Sequence, residues 1–117
     1  MRVNYLGPVC MGIEHPALDG YDLTRFGLSC FLVEVSAEAG VAGSLIEGDL
    51  LVVDEQKPAQ HDDLVIVEVE GEQRLFSSLR VGGRLRLIPT AGPRESIWAR
   101  QAQLRGVVVR QARRYMV

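Results

Sequence analysis

From Phe31 onward the apolar residues come in short runs, each cut by a turn signal, and none keeps the spacing of a helix face. That property restricts the body of the chain to strands joined by tight turns. Phe31-Leu32-Val33-Glu34-Val35 is rich in β-formers, and Gly48-Asp49 turns into Leu50-Leu51-Val52-Val53, a strand expected to be buried on both faces. The runs 64–69 and 74–79 flank Glu70-Gly71-Glu72, a hairpin signature. Val81-Gly82-Gly83 is a second tight turn, after which Arg84-Leu85-Arg86-Leu87-Ile88 alternates as a half-exposed strand does. The run 106–111 is the last strand, and 37–47, broken by Gly40, Gly43 and Ser44, reads as a loop with at most a turn of helix. The expected class is a mostly-β, barrel-like or sandwich fold.

Residues 1–30 read differently. Gly7-Pro8, Pro16 and Asp19-Gly20 break every period, so this stretch is expected to be an irregular N-terminal arm laid across a body formed by 31–117. With 117 residues, 47% of them apolar, the chain has enough material for one core without staples. No apolar run approaches the roughly 18 residues of a membrane span, and no basic-then-apolar leader is visible, so no membrane role and a cytoplasmic location are expected. Two cysteines, Cys10 and Cys30, form no framework, and the two histidines, His15 and His61, have no ligand-like spacing, so neither a metal nor another cofactor is expected.

Charge is unevenly spread. Residues 1–72 hold three basic residues against fourteen acidic ones, while 73–117 hold ten arginines against Glu95, so a net charge of −2 hides halves of −11 and +9. A basic surface for nucleic acid would use Arg100, Arg105, Arg110, Arg113 and Arg114. Interleaved strands that pair the charges across the two halves account for the same pattern more simply, which disfavours direct nucleic-acid binding.

The order of the motifs carries a resemblance. Phe31-Leu32-Val33-Glu34-Val35-Ser36, followed at fixed distance by Gly48-Asp49-Leu50-Leu51-Val52-Val53-Asp54, resembles the LexA/UmuD-type family of self-cleaving Ser–Lys peptidases of the bacterial DNA-damage response. His61-Asp62-Asp63-Leu64-Val65 is similar to the family's H-G-D turn, Val69-Glu70-Gly71-Glu72 to its V-D-G-E hairpin, and Leu87-Ile88-Pro89 to its L-I-P strand. Gly106-Val107-Val108 is similar to its closing strand, and Gly12-Ile13-Glu14-His15-Pro16-Ala17-Leu18-Asp19 to the segment just after its cleaved bond. Only 11 residues precede Gly12, too few for a DNA-binding domain, so the resemblance points to the UmuD branch.

The resemblance also locates the chemistry. The family's nucleophilic serine falls on Ala39, and its lysine base falls on Phe76. Such a lysine works only when burial strips its proton. Alanine cannot attack a carbonyl, the chain's sole lysine, Lys57, belongs to a polar turn, and an arginine stays protonated at any working pH. Ser36, Ser44, Ser77, Ser78 and Cys10, with His61 as a base, are the remaining candidates for a nucleophilic site. The scissile-bond position is Met11-Gly12. The resemblance therefore implies an inactive UmuD-like protein that works through contacts: a homodimer, a translesion polymerase, or a UmuD- or LexA-like partner. The expected contact surfaces are the arm, at Val9, Met11, Ile13 and Leu18, and the C-terminal strand with Arg110, Arg113 and Arg114, taken as an edge that a second copy would cover. The rival readings are a residual or altered serine peptidase and a basic-surface nucleic-acid binder.

Overall fold

Every strand expected between Phe31 and Gln111 forms. The structure, a computed structural model, describes residues 1–11, 15–18, 26–36, 41–42, 45–90 and 96–113. In chain order the strands are β1 (Val3–Pro8), β2 (Cys30–Val35), β3 (Val41–Ala42), β4 (Leu45–Ile46) and β5 (Leu50–Asp54). They continue as β6 (Leu64–Val69), β7 (Glu72–Val81), β8 (Arg84–Pro89), β9 (Ile97–Trp98) and β10 (Leu104–Ala112). Among the described residues there is no α-helix, only short 3₁₀ turns at Val9–Met11, Pro16–Leu18 and Gln101–Gln103. Eight strands make one antiparallel sheet in the order β1-β2-β5-β10-β6-β7-β8-β9.

The sheet curls until β1 reaches β7. The Leu75 N–H donates to the Met1 carbonyl at 2.8 Å, and Arg2 bridges to Arg74. The inner face of this half-barrel buries Val3, Phe31, Val33, Val35, Leu51, Val53, Ile66 and Leu75, with Met1 and Leu45 beside them. Alternation sends the intervening residues to the outer face. There Cys30, Leu32, Leu50 and Val52 form one cluster, and Val65, Val67, Phe76, Leu87 and Val107 another. Strands β2, β5 and β6 thus bury both faces, which is why they read as near-continuous apolar runs.

The turns follow from glycine. Val69 pairs with Glu72 across Glu70 (φ 51) and Gly71 (φ 78), and Val81 pairs with Arg84 across Gly82 (φ 57) and Gly83 (φ 81). Two successive positive φ values define the two-residue turn whose twist matches an antiparallel hairpin. Gly106 meets a different demand. A Cβ there would lie 2.6 Å from a Val53 methyl and 2.8 Å from the Asp54 carbonyl oxygen. Gly106→Ala therefore forces β10 off β5, and we expect a loss of about 1–3 kcal/mol in chemical denaturation. An unchanged midpoint would contradict that close approach.

Three expectations are corrected. Residues 3–8 are not irregular: β1 pairs with β2 from Val3↔Val35 to Pro8↔Phe31, with a register shift between Tyr5 and Gly7. The shift, and the exposure of Asn4, Tyr5 and Leu6, erase the alternation by which a strand is read. The expected loop 37–47 holds the small β3–β4 ladder, which drops Leu45 into the inner core. The C-terminal strand is no edge. β10 lies in the sheet interior, paired with β5 on one side and β6 on the other, so it offers no free ladder to a second copy.

Candidate functional site

Phe76 sits in β7 opposite Val65 on β6 and Pro89 on β8. Its ring is 6% exposed, closed in by Val65, Val67, Leu87 and Val107, with Ile97, Ala99 and Leu104 packed outside them. Phe76 is thus part of a hydrophobic cluster on the outer face of the sheet. A cleft of about 270 Å³ adjoins this cluster, walled by Pro58, Ala59, Leu85, Leu104 and Val107, with the exposed Lys57 at its margin. Among the described residues no serine, cysteine or histidine lines it. Ala39, Gly12, Ser44 and Arg114 lie outside the described residues; Met11 closes the 3₁₀ turn that follows β1.

The other nucleophile candidates are committed elsewhere. Ser78 is 2% exposed; its hydroxyl donates to the Gln60 carbonyl and accepts the Asp63 N–H at 3.0 Å. The Nδ1 of His61 accepts the Arg80 N–H at 3.0 Å, which leaves this imidazole a turn residue that stitches 60–63 onto β7. Ser36 is buried at the end of β2, where its N–H donates to the Arg2 carbonyl. Ser77 faces the side of β7 opposite to Phe76. Cys10 is exposed, while burial, reinforced by the nearby Asp54, pushes the Cys30 thiol up and keeps it inert. Among the described residues no serine or cysteine is hydrogen-bonded to a histidine, and no three His, Cys, Asp or Glu side chains gather as a metal site requires. Nor is any described helix long and apolar enough to cross a membrane.

The strongest electrostatic feature is one that the residue spacing concealed. Asp49, from the Gly48-Asp49 turn, is 1% exposed. Its Oδ1 accepts Arg113 Nε at 2.7 Å, and its Oδ2 accepts Arg113 Nη2 at 2.8 Å, Gln111 Nε2 at 2.8 Å and the Ile46 N–H at 3.0 Å. Burial alone would raise this carboxyl; the Arg113, Ile46 and Gln111 donors outweigh it and hold it below its ordinary value. Arg113, expected at an interaction surface, is thus half of an internal clamp between the turn and β10. Arg110 remains exposed, as does Arg100, and Arg105 pairs with Glu68. This last pair, like Arg74–Glu72 and Arg113–Asp49, joins the basic half of the chain to the acidic half.

The arm is anchored too. His15 accepts the Ala17 N–H on Nδ1 at 3.1 Å, so its Nε2 carries the proton and donates to Glu34 on β2 at 2.6 Å. Val9 and Ala17 are buried, and with Leu18 and Phe26 they cover the outer cluster of Cys30, Leu32, Leu50 and Val52. Val9, expected at a contact surface, is therefore core, while Leu18 is partly buried and Ile13 lies outside the described residues.

A curled antiparallel sheet with a Gly-Asp turn after β4 and a hairpin through β6 and β7 places the molecule among mostly-β, half-barrel domains. No family model matches the chain. Individual relatives do: the LexA repressor of Geobacter sp. (strain M21) is 34% identical over 90 residues, 76% of this chain and 44% of the relative. The LexA repressor of Geobacter metallireducens is 29% identical over 103 residues, 83% of this chain and 51% of the relative. That of Mycobacterium leprae is 33% identical over 79 residues, 68% and 34% of the two chains. The chain belongs to the LexA/UmuD-type family of peptidase-fold domains. It spans about half the length, or less, of the relatives it matches.

Proposed function

We propose that this domain has lost self-cleavage and acts by protein–protein contact, as an accessory subunit of a translesion polymerase in the DNA-damage response. The observation that carries the reading is Phe76. At the position that the resemblance gives to the lysine base, an aromatic ring is closed into an apolar cluster. Ala39 stands at the matching nucleophile position. A buried Ser–Lys pair costs desolvation that Ala and Phe do not, so the double change favours the scaffold over the chemistry. The accessory role and the homodimer rest on the likeness to UmuD, since β10 lends the dimer no edge. An altered hydrolase is the second reading, and one experiment addresses both.

The unaltered protein, held overnight at pH 7 and pH 10, is expected to stay whole by mass spectrometry. Ala39→Ser with Phe76→Lys is expected to cut slowly between Met11 and Gly12 near pH 10, where a lysine of ordinary pKa about 10.4 begins to lose its proton. Either single change should do far less, because nucleophile and base act as a unit. A fragment beginning at Gly12 from the unaltered chain would overturn the reading in favour of a working hydrolase.

A further inference from the structure

We propose that the β7–β8–β9 end of the sheet is a docking surface for an acidic, aliphatic segment of another protein. The inference rests on the reading of this domain as one that acts by contact, and it names the surface and the partner chemistry. On β7, Leu75 faces the inner core; the same face runs on through Ser77, Leu79 and Val81, beyond the residues that cover it. Directly opposite residues share a face. Leu79 stands opposite Arg86, and Arg86 opposite Trp98, one row across three strands; Val81 stands opposite Arg84 in the next. Leu79, Val81 and Trp98 are 39%, 45% and 36% exposed.

The two arginines are held in place. Their guanidinium carbons lie 4.2 Å (Arg84) and 4.6 Å (Arg86) from the Trp98 ring centroid, and Arg86 Nε donates to Ser96 Oγ at 2.8 Å. A guanidinium lying on a ring keeps its in-plane N–H donors available while its rotamer freedom is already spent. Arg74, Arg105 and Arg113 all pair with carboxylates, yet Arg84 and Arg86 have none within reach among the described residues. Two ordered cations with no carboxylate partner among the described residues, set among exposed Leu, Val and Trp, match the composition of protein-contact hot spots. The complementary occupant carries carboxylates at the arginines and aliphatic side chains on Leu79 and Val81. Nucleic acid fits less well: the indole ring is already engaged by two guanidiniums, aliphatic side chains gain little against a phosphodiester backbone, and the chain as a whole is net negative.

Trp98 is the sole tryptophan, so its emission reports on this surface alone. The probes are a fluorescein-labelled peptide of four Glu-Val repeats, its Lys-Val counterpart and a twelve-residue oligo-dT, each titrated at low salt. The Glu-Val peptide is expected to raise anisotropy and alter Trp98 emission, to weaken as salt rises, and to bind at least tenfold more weakly to Arg84→Glu/Arg86→Glu. The Lys-Val peptide is expected not to bind. Val81→Asp, a change at one exposed turn-flanking position, provides a second variant with the same expected weakening. No binding by the Glu-Val peptide, or equal binding by both variants, would overturn the proposal. So would tighter binding of oligo-dT that is lost in the same arginine variant, which would make the face a nucleic-acid surface. Peptide binding and self-cleavage are read separately, so failure here and failure of the proposed function are distinguishable.

Discussion

Replacing Asp49 by alanine is expected to lower the unfolding free energy by about 3 kcal/mol, the scale for breaking a buried, hydrogen-bonded ion pair by removing one partner. Against the roughly 5–15 kcal/mol of a typical domain, that is a large loss. It strips the acceptor from Arg113, Gln111 and the Ile46 N–H together, and so unfastens β10 from the turn before β5. Asp49→Asn keeps the shape but turns an amide toward donors, and should lose most of the same stability. The acid limb follows in sign. Asp49 titrates below its ordinary 3.8 in the folded chain, so above that value the unfolded state binds no extra proton and the stabilisation is complete. It is lost as pH falls through the folded value. Asp54, lowered by the Gln56 N–H and the Ser29 hydroxyl, acts in the same direction. Urea denaturation of wild type and Asp49→Asn between pH 7 and pH 3 should therefore converge; parallel curves would exclude Asp49 as the group responsible.

Phe76→Lys is the second large effect. Phe76→Ala alone should cost about 3–5 kcal/mol, the usual range for a buried aromatic. A lysine there also places an ammonium among Val65, Val67, Leu87 and Val107, and burial pushes its pKa below the ordinary 10.4 or so. With the folded value depressed, the unfolded state holds the proton more tightly, and stability rises with pH between the folded value and about 10.4. The variant should thus be less stable than Phe76→Ala at pH 7 and regain stability towards pH 10. Equal midpoints at both pH values would mean that the amine reaches water and that the apolar enclosure is not what Phe76 occupies. A recovery would bring the neutral amine and the folded protein together at the pH where the restored dyad is expected to cut.

Much of the sheet was legible because its determinants are local. The body strands declare themselves through β-branched runs, and the turns through Glu70-Gly71 and Gly82-Gly83, where positive φ requires residues that tolerate it. The double-sided burial of β5 was visible in Leu50-Leu51-Val52-Val53 before any neighbour was known. The family, too, was legible, because it lies in the order of several weak motifs and not in any one of them.

What stayed hidden depends on which strands meet. Nothing local marks β1, whose alternation is broken by its register shift, or β9, two residues that pair with β8 and bring Trp98 beside Arg84 and Arg86. β10 ends the described chain yet lies inside the sheet, because Gly106 lets it approach Val53 and Asp54 where any side chain would collide. The Asp49–Arg113 pair spans 64 positions of sequence, and either residue alone reads as a surface charge. Residue types and turn chemistry are written along the chain, whereas burial, charge pairing and an uncovered face arise between segments that only the closed sheet brings together.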